Sequence, residues 1–164
     1  GSGAISAGDA VVQYLVLRRD LIESSSSSSV GRVFAQGCNA AVAAIWENKD
    51  DPFTSLYCSP PNLDSMRKVT LEVKGEVQMV NLSAKLKEAG IAHKLWIDLP
   101  EKLPTCLSTK PYPKSVVSSF FKKLKLCRAA ASSHEQKASW TRSQTLMDAP
   151  KWIRWCSMWQ FEET

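Results

Sequence analysis

The sequence offers little for metal or disulfide chemistry. Its five cysteines, Cys38, Cys58, Cys106, Cys127 and Cys156, are odd in number and include no C-x-x-C pair. His93 and His134 are its only histidines, and neither stands at metal-ligand spacing from a cysteine. That pattern argues against a zinc site and against a disulfide scaffold, and suits free thiols in a reducing compartment. No metal and no cofactor is expected. Apolar residues never approach the roughly 18 in succession that a transmembrane helix needs, so no membrane partner is expected either. The start, Gly1 to Gly8, lacks a basic region followed by an apolar run and is not a secretory signal. There is no glycine-rich phosphate loop, and two histidines leave no credible Ser-His-Asp set. The charge is only mildly positive: 21 Lys and Arg against 16 Asp and Glu, a formal +5. Such an excess permits an anionic partner such as nucleic acid without demanding one.

What is present suffices for one folded domain and a tail. The chain has 164 residues, 44% of them hydrophobic, enough apolar surface to form a core. Val11 to Leu17 is a continuous β-branched and apolar run, the pattern of a central strand buried on both faces. The run Ser24 to Ser29 reads as a low-complexity loop. Gly31 to Asn48 is rich in alanine and apolar on most of its circumference, which predicts a helix lying close on a sheet. Asp51-Pro52 suits the start of a short second helix through Tyr57. Lys68 to Val73 and His93 to Leu99 read as strands, Glu76 to Ala89 as a helix capped by Gly90, and Thr105 to Thr109 as a fourth, short strand. A last helix is predicted over Lys114 to Cys127.

Alternating strands and helices in this order give an α/β fold: a three-layer sandwich with a mixed four-stranded sheet and helices on both faces. The expected organisation is a flexible lead over 1–10 that lacks the natural start, a domain over 11–127, and a poorly ordered tail over 128–164. Within that tail, Trp152, Trp155 and Trp159 recur at i, i+3 and i+7. A short Trp-rich helix there would carry all three on one face, ready to dock on the domain or on a protein partner.

Arg32, Gln36 and Asn39 form a polar stripe, at i, i+4 and i+7, on the otherwise apolar first long helix. The stripe either faces solvent or forms a polar site at the end of the sheet. In the second case the two amides would donate hydrogen bonds and Arg32 would hold a phosphate. Asp98 closes the third strand, a place that is either a solvated strand end or the ligand crevice of an α/β fold. Lys94, Lys110 and Lys114 add positive charge to the later loops.

These residues belong to longer segments that match a known family. Tyr14 to Leu21, Gly31 to Ala41, Lys68 to Val73, Leu95 to Glu101 and Pro104 to Lys114, in that order, resemble the type II peptidyl-tRNA hydrolases. Nearest is the eukaryotic branch of peptidyl-tRNA hydrolase domain-containing proteins. The resemblance covers about Val11 to Cys127. It implies hydrolysis of the ester that joins a peptide to the 3′ ribose of tRNA, without a cofactor. It implies catalytic roles for Asp98, Gln36, Arg32 and Thr105, and substrate-binding roles for Asn39, Arg18, Lys110 and Lys114. The implied partners are peptidyl-tRNA or tRNA, with a homodimer left open; the expected location is the cytoplasm, with an organelle left open. The family carries lysine where this chain has Arg32 and histidine where it has Asn39. Arginine keeps the charge but does not readily give up its proton. Asparagine can hydrogen-bond but does not titrate. The alternative is therefore a catalytically inactive family member acting as an RNA- or protein-binding module.

Overall fold

A computed structural model describes residues 9–24 and 27–128. The lead over 1–8 and the tail beyond 128, with its three spaced tryptophans, lie outside the described residues. The elements run β1 (Val11–Arg18), α1 (Arg19–Glu23), α2 (Ser27–Glu47), α3 (Pro52–Tyr57), a 3-10 turn (Pro60–Ser65), β2 (Lys68–Val73), α4 (Glu76–Glu88), β3 (His93–Asp98), β4 (Leu103–Thr109), β5 (Tyr112–Pro113), α5 (Lys114–Phe121) and β6 (Lys125–Leu126). The sheet order is β3-β4-β1-β2-β6, with β5 paired to β1. β2 lies parallel to β1, and β4 is antiparallel to both β1 and β3. The C-terminal ends of β1, β2 and β3 therefore share one edge of the fold, the usual ligand end of an α/β sheet.

Strand alternation splits the core. Val12, Tyr14 and Val16 of β1 point to one face, where Met79, Leu82 and Leu86 of α4 and Val117 and Phe121 of α5 cover them. The Tyr14 and Phe121 rings stack there with centroids 4.3 Å apart, a contact that adds about 0.5–1.5 kcal/mol beyond burial. Leu17 and its partly buried neighbour Leu15 point to the other face, against Val33 and Ala40 of α2 and Cys106 of β4. Gly37 explains how α2 comes so near: a Cβ there would lie 3.3 Å from Leu15 Cδ2. Gln13 shares this face and donates from Nε2 to the carbonyls of Ala41 and Thr109, while its Oε1 is buried without a hydrogen-bond partner among the described residues.

Local chemistry sets the boundaries. The Asp51 carboxylate caps α3 by accepting from the N–H groups of Phe53 and Thr54. Gly90 ends α4 at φ 69°, a conformation that favours glycine. At the start of α5, the Asp9 carboxylate accepts from the Ser115 N–H, and the Lys114 N–H bonds to the Ala10 carbonyl.

Three sequence expectations need correction. The sheet has two further strands, β5 and β6, each of two residues. The last helix stops at Phe121 and does not reach Cys127. Lys125 and Leu126 pair with β2 instead, and the Cys127 N–H donates to the Thr70 carbonyl. Ser27 to Ser29 form the first turn of α2, while the short α1 precedes them. Cys38, Cys58, Cys106 and Cys127 are free thiols. Among the described residues no helix is long and apolar enough to cross a membrane.

Candidate active site

The first turns of α2, the end of β3 and the start of β4 enclose a cavity of about 290 Å³ at the C-terminal end of the sheet. Arg32, Gln36, Asp98 and Thr105 all line it. Helical spacing accounts for the first two: Arg32 and Gln36 are one turn apart, beside the buried Val33. Asp98 ends β3 two residues beyond Trp96, which packs on the α2-side cluster, so both side chains leave the strand on that face.

Thr105 arrives by a different route. The β3–β4 register runs from Trp96↔Cys106 to Ile97↔Pro104 and leaves Thr105 as the extra residue of a β-bulge. Consecutive strand residues normally face opposite ways. The bulge lets Thr105 line the cavity while its neighbour Cys106 also packs toward α2.

The Arg32 guanidinium donates from Nη2 to Asp98 Oδ2 at 2.5 Å. Arg32 stands at the mouth with most of its side chain exposed, whereas the Asp98 side chain is only 20% exposed. Oδ1 of Asp98 has no protein partner among the described residues. Gln36 is 6% exposed, and its amide makes no hydrogen bond to any described residue. Its amide opens to the cavity and is therefore available to hydrogen-bond a ligand there. Thr105 donates weakly from Oγ1 to the Trp96 carbonyl at 3.4 Å, leaving its oxygen lone pairs available.

The other four candidates do not join this group. Asn39 is exposed on α2 and does not line the cavity. Arg18 is buried and engaged: it donates to both Asp20 oxygens, to Glu76 and, at 2.7 Å, to the Pro104 carbonyl. It braces the residue preceding Thr105. Its hydrogen bonds to Asp20 hold that carboxyl below its ordinary value despite partial burial. Lys110 lies at the far end of β4, paired to Asp51 at 2.8 Å with its ammonium over the Phe53 and Tyr112 rings. Lys114 is exposed at the start of α5, beside the amino end of β1. Sequence reasoning missed Glu101, a second carboxylate on the cavity wall, and Leu21 and Ser24, which the unforeseen α1 brings there.

Residues 11–127 match the family described as Peptidyl-tRNA hydrolase PTH2. The chain belongs to that family. It is 42% identical over 116 residues to the mouse (Mus musculus) protein named "Putative peptidyl-tRNA hydrolase PTRHD1", covering 71% of this chain and 81% of that protein. The human (Homo sapiens) protein of the same name is 41% identical over the same length, with the same coverage. A Dictyostelium discoideum protein named "Probable peptidyl-tRNA hydrolase 2" is 29% identical over 125 residues, covering 70% of this chain and 53% of that protein. The PTH2 match begins with β1 and ends just after β6, so the described fold and the family domain coincide. All four cavity residues named above fall inside it.

Proposed function

We propose that this PTH2 domain hydrolyses the ester of peptidyl-tRNA, releasing the peptide and free tRNA. The observation that carries this reading is the meeting of Asp98, Gln36, Arg32 and Thr105 around one cavity. Asp98 is held at Oδ2 by Arg32, which leaves Oδ1 to orient and deprotonate a water. That water attacks the ester carbonyl carbon. The oxyanion that forms is met by the Gln36 amide, fixed on a rigid helix and not committed elsewhere. Arg32 offsets the developing negative charge without giving up a proton. The proton taken by Asp98 passes to the departing ribose oxygen, so no cofactor enters.

Gln36→Ala tests the oxyanion role. Removing one such donor typically lowers kcat by about 10²–10³-fold, and binding of uncharged tRNA should not change. Equal loss of tRNA binding would make Gln36 a binding residue and contradict the role.

A second reading, an inactive RNA- or protein-binding module, draws on the Arg32–Asp98 ion pair and on Asn39. An arginine paired this closely holds the carboxylate, and an exposed asparagine cannot titrate. Peptide release at no more than the spontaneous rate would favour that reading.

A further inference from the structure

The cavity suits an ester but not a polyanion. Its ionisable lining is one cation, Arg32, against two carboxylates, Asp98 and Glu101, and Arg32 is already paired to Asp98. A polynucleotide brought to this cavity would meet no net attraction for its phosphates. Positive charge must come from elsewhere on the same end of the fold.

A larger groove of about 970 Å³ lies there, between α4 and the end of α5. Lys74, Lys85, Lys122 and Lys123 line it, together with Arg18, and the only carboxylates are Asp20 and Glu76. Arg18 bonds to both of those carboxylates. None of the four lysines has an ion-pair partner among the described residues. By contrast Arg18, Arg19, Arg32, Lys94 and Lys110 are all paired to carboxylates. The groove therefore gathers uncompensated charge on one concave surface. Lys74 follows β2 directly, so the groove opens at the C-terminal end of the sheet, as the cavity does. Arg18 links the two, bonding to the Pro104 carbonyl beside Thr105 and to Glu76 on the groove wall.

We propose that this groove takes the sugar–phosphate backbone of the RNA whose ester enters the cavity, with Lys74, Lys85, Lys122 and Lys123 as its phosphate contacts. The proposal rests on the hydrolase reading above. It divides the labour: the lysines hold the polyanion, and the weakly charged cavity receives the ester. An ammonium that meets a phosphate displaces a condensed counterion, so affinity should fall with salt, with a logarithmic slope near 0.7–0.9 per contact.

The experiment compares the full chain with Lys122→Gln/Lys123→Gln and Lys74→Gln/Lys85→Gln. Fluorescence anisotropy measures binding of an uncharged tRNA at several salt concentrations. Arg67→Gln/Lys49→Gln removes the same charge from exposed positions, ahead of β2 and after α2, at the opposite end of the sheet and serves as control. Each groove pair should weaken binding at least tenfold at low salt and flatten the slope by about 1.4–1.8, while the control keeps both at wild-type values. Unchanged affinity and slope in both groove pairs would overturn the proposal and leave the lysines to an acidic protein partner. An equal loss in the control would overturn it too, reducing the effect to net charge. Cleavage of a short N-acetylaminoacyl-adenosine ester by the unmodified chain reads the cavity without the groove. If that ester survives while the lysine pairs behave as expected, the hydrolase reading fails and the groove stands as an RNA site. If it is cleaved while the lysine pairs bind normally, the groove alone is refuted.

Discussion

Arg32 and Asp98 are 66 residues apart in sequence and 2.5 Å apart in space. Their ion pair ties the early turns of α2 to the end of β3 across the lining of the cavity. Because the Arg32 side chain is 62% exposed, solvent screens the pair and its contribution to stability is small, about 0–1 kcal/mol. Its value to the fold and its value to the reaction are therefore separable. Arg32→Met should leave the urea midpoint nearly unchanged while kcat/KM for peptidyl-tRNA falls at least tenfold. A large loss of stability with unaltered kcat/KM would make Arg32 a structural strut.

Arg18 should behave in the opposite way. Its side chain is 7% exposed and serves the carboxylates of Asp20 and Glu76 and the carbonyl of Pro104. Arg18→Met keeps the length but abandons these acceptors. Hydrogen bonds to charged groups are worth about 1.5–3 kcal/mol where they are shielded, and both carboxylates are nearly half exposed, so a loss of about 2 kcal/mol is expected from urea unfolding. An Arg18→Met protein as stable as wild type, but with weaker tRNA binding, would support the substrate-binding role that the family resemblance implies.

Acid should expose two of the fold's internal pairs. Hydrogen bonds from Arg18 lower the Asp20 carboxyl below its ordinary 3.8. Burial alone would raise Asp51, but the Lys110 ammonium and the N–H groups of Phe53 and Thr54 outweigh it and lower that carboxyl too. Both groups hold protons less readily folded than unfolded. The unfolded chain therefore takes up protons first as pH falls. The stability from these pairs is full above about pH 5 and drains as pH drops through 3.8 toward the lowered folded values. Urea midpoints measured from pH 6 to pH 3 should show this decline. Lys110→Met should flatten it, since Asp51 then loses the partner that lowers it. A decline as steep in Lys110→Met as in wild type would remove Asp51 from the account.

Much of this arrangement could be read from the residues. β1, β2 and β3 lie where their apolar runs place them, because long strands with buried faces leave a strong pattern. Gln36 and Asp98 were visible as a polar residue on an apolar helix and a carboxylate at a strand end. α5 misled because Phe120 and Leu124 keep helical spacing past the point where the helix stops. Leu124 still packs on the core, but the Thr70 carbonyl of β2 takes the Cys127 N–H and draws the chain into an edge strand. Two-residue strands and the five-residue α1 carry too few positions for any period to show. Thr105 could be matched to the family, but the bulge that turns it into the cavity depends on pairing with β3. For Arg18 and Lys110 the resemblance implies substrate binding, but a sequence shows a charge and not its partner. The structure spends both on internal carboxylates.

Peptide release from a purified peptidyl-tRNA, followed under single-turnover conditions with wild type and Asp98→Asn side by side, tests the central claim most directly. Asparagine preserves the shape of the site but cannot deprotonate a water. The account predicts release by wild type well above the spontaneous rate. It predicts that Asp98→Asn is slower by about 10²–10⁴-fold, the usual contribution of a positioned general base, with tRNA affinity retained. Release by Asp98→Asn at the wild-type rate, or no release by either protein, would contradict it.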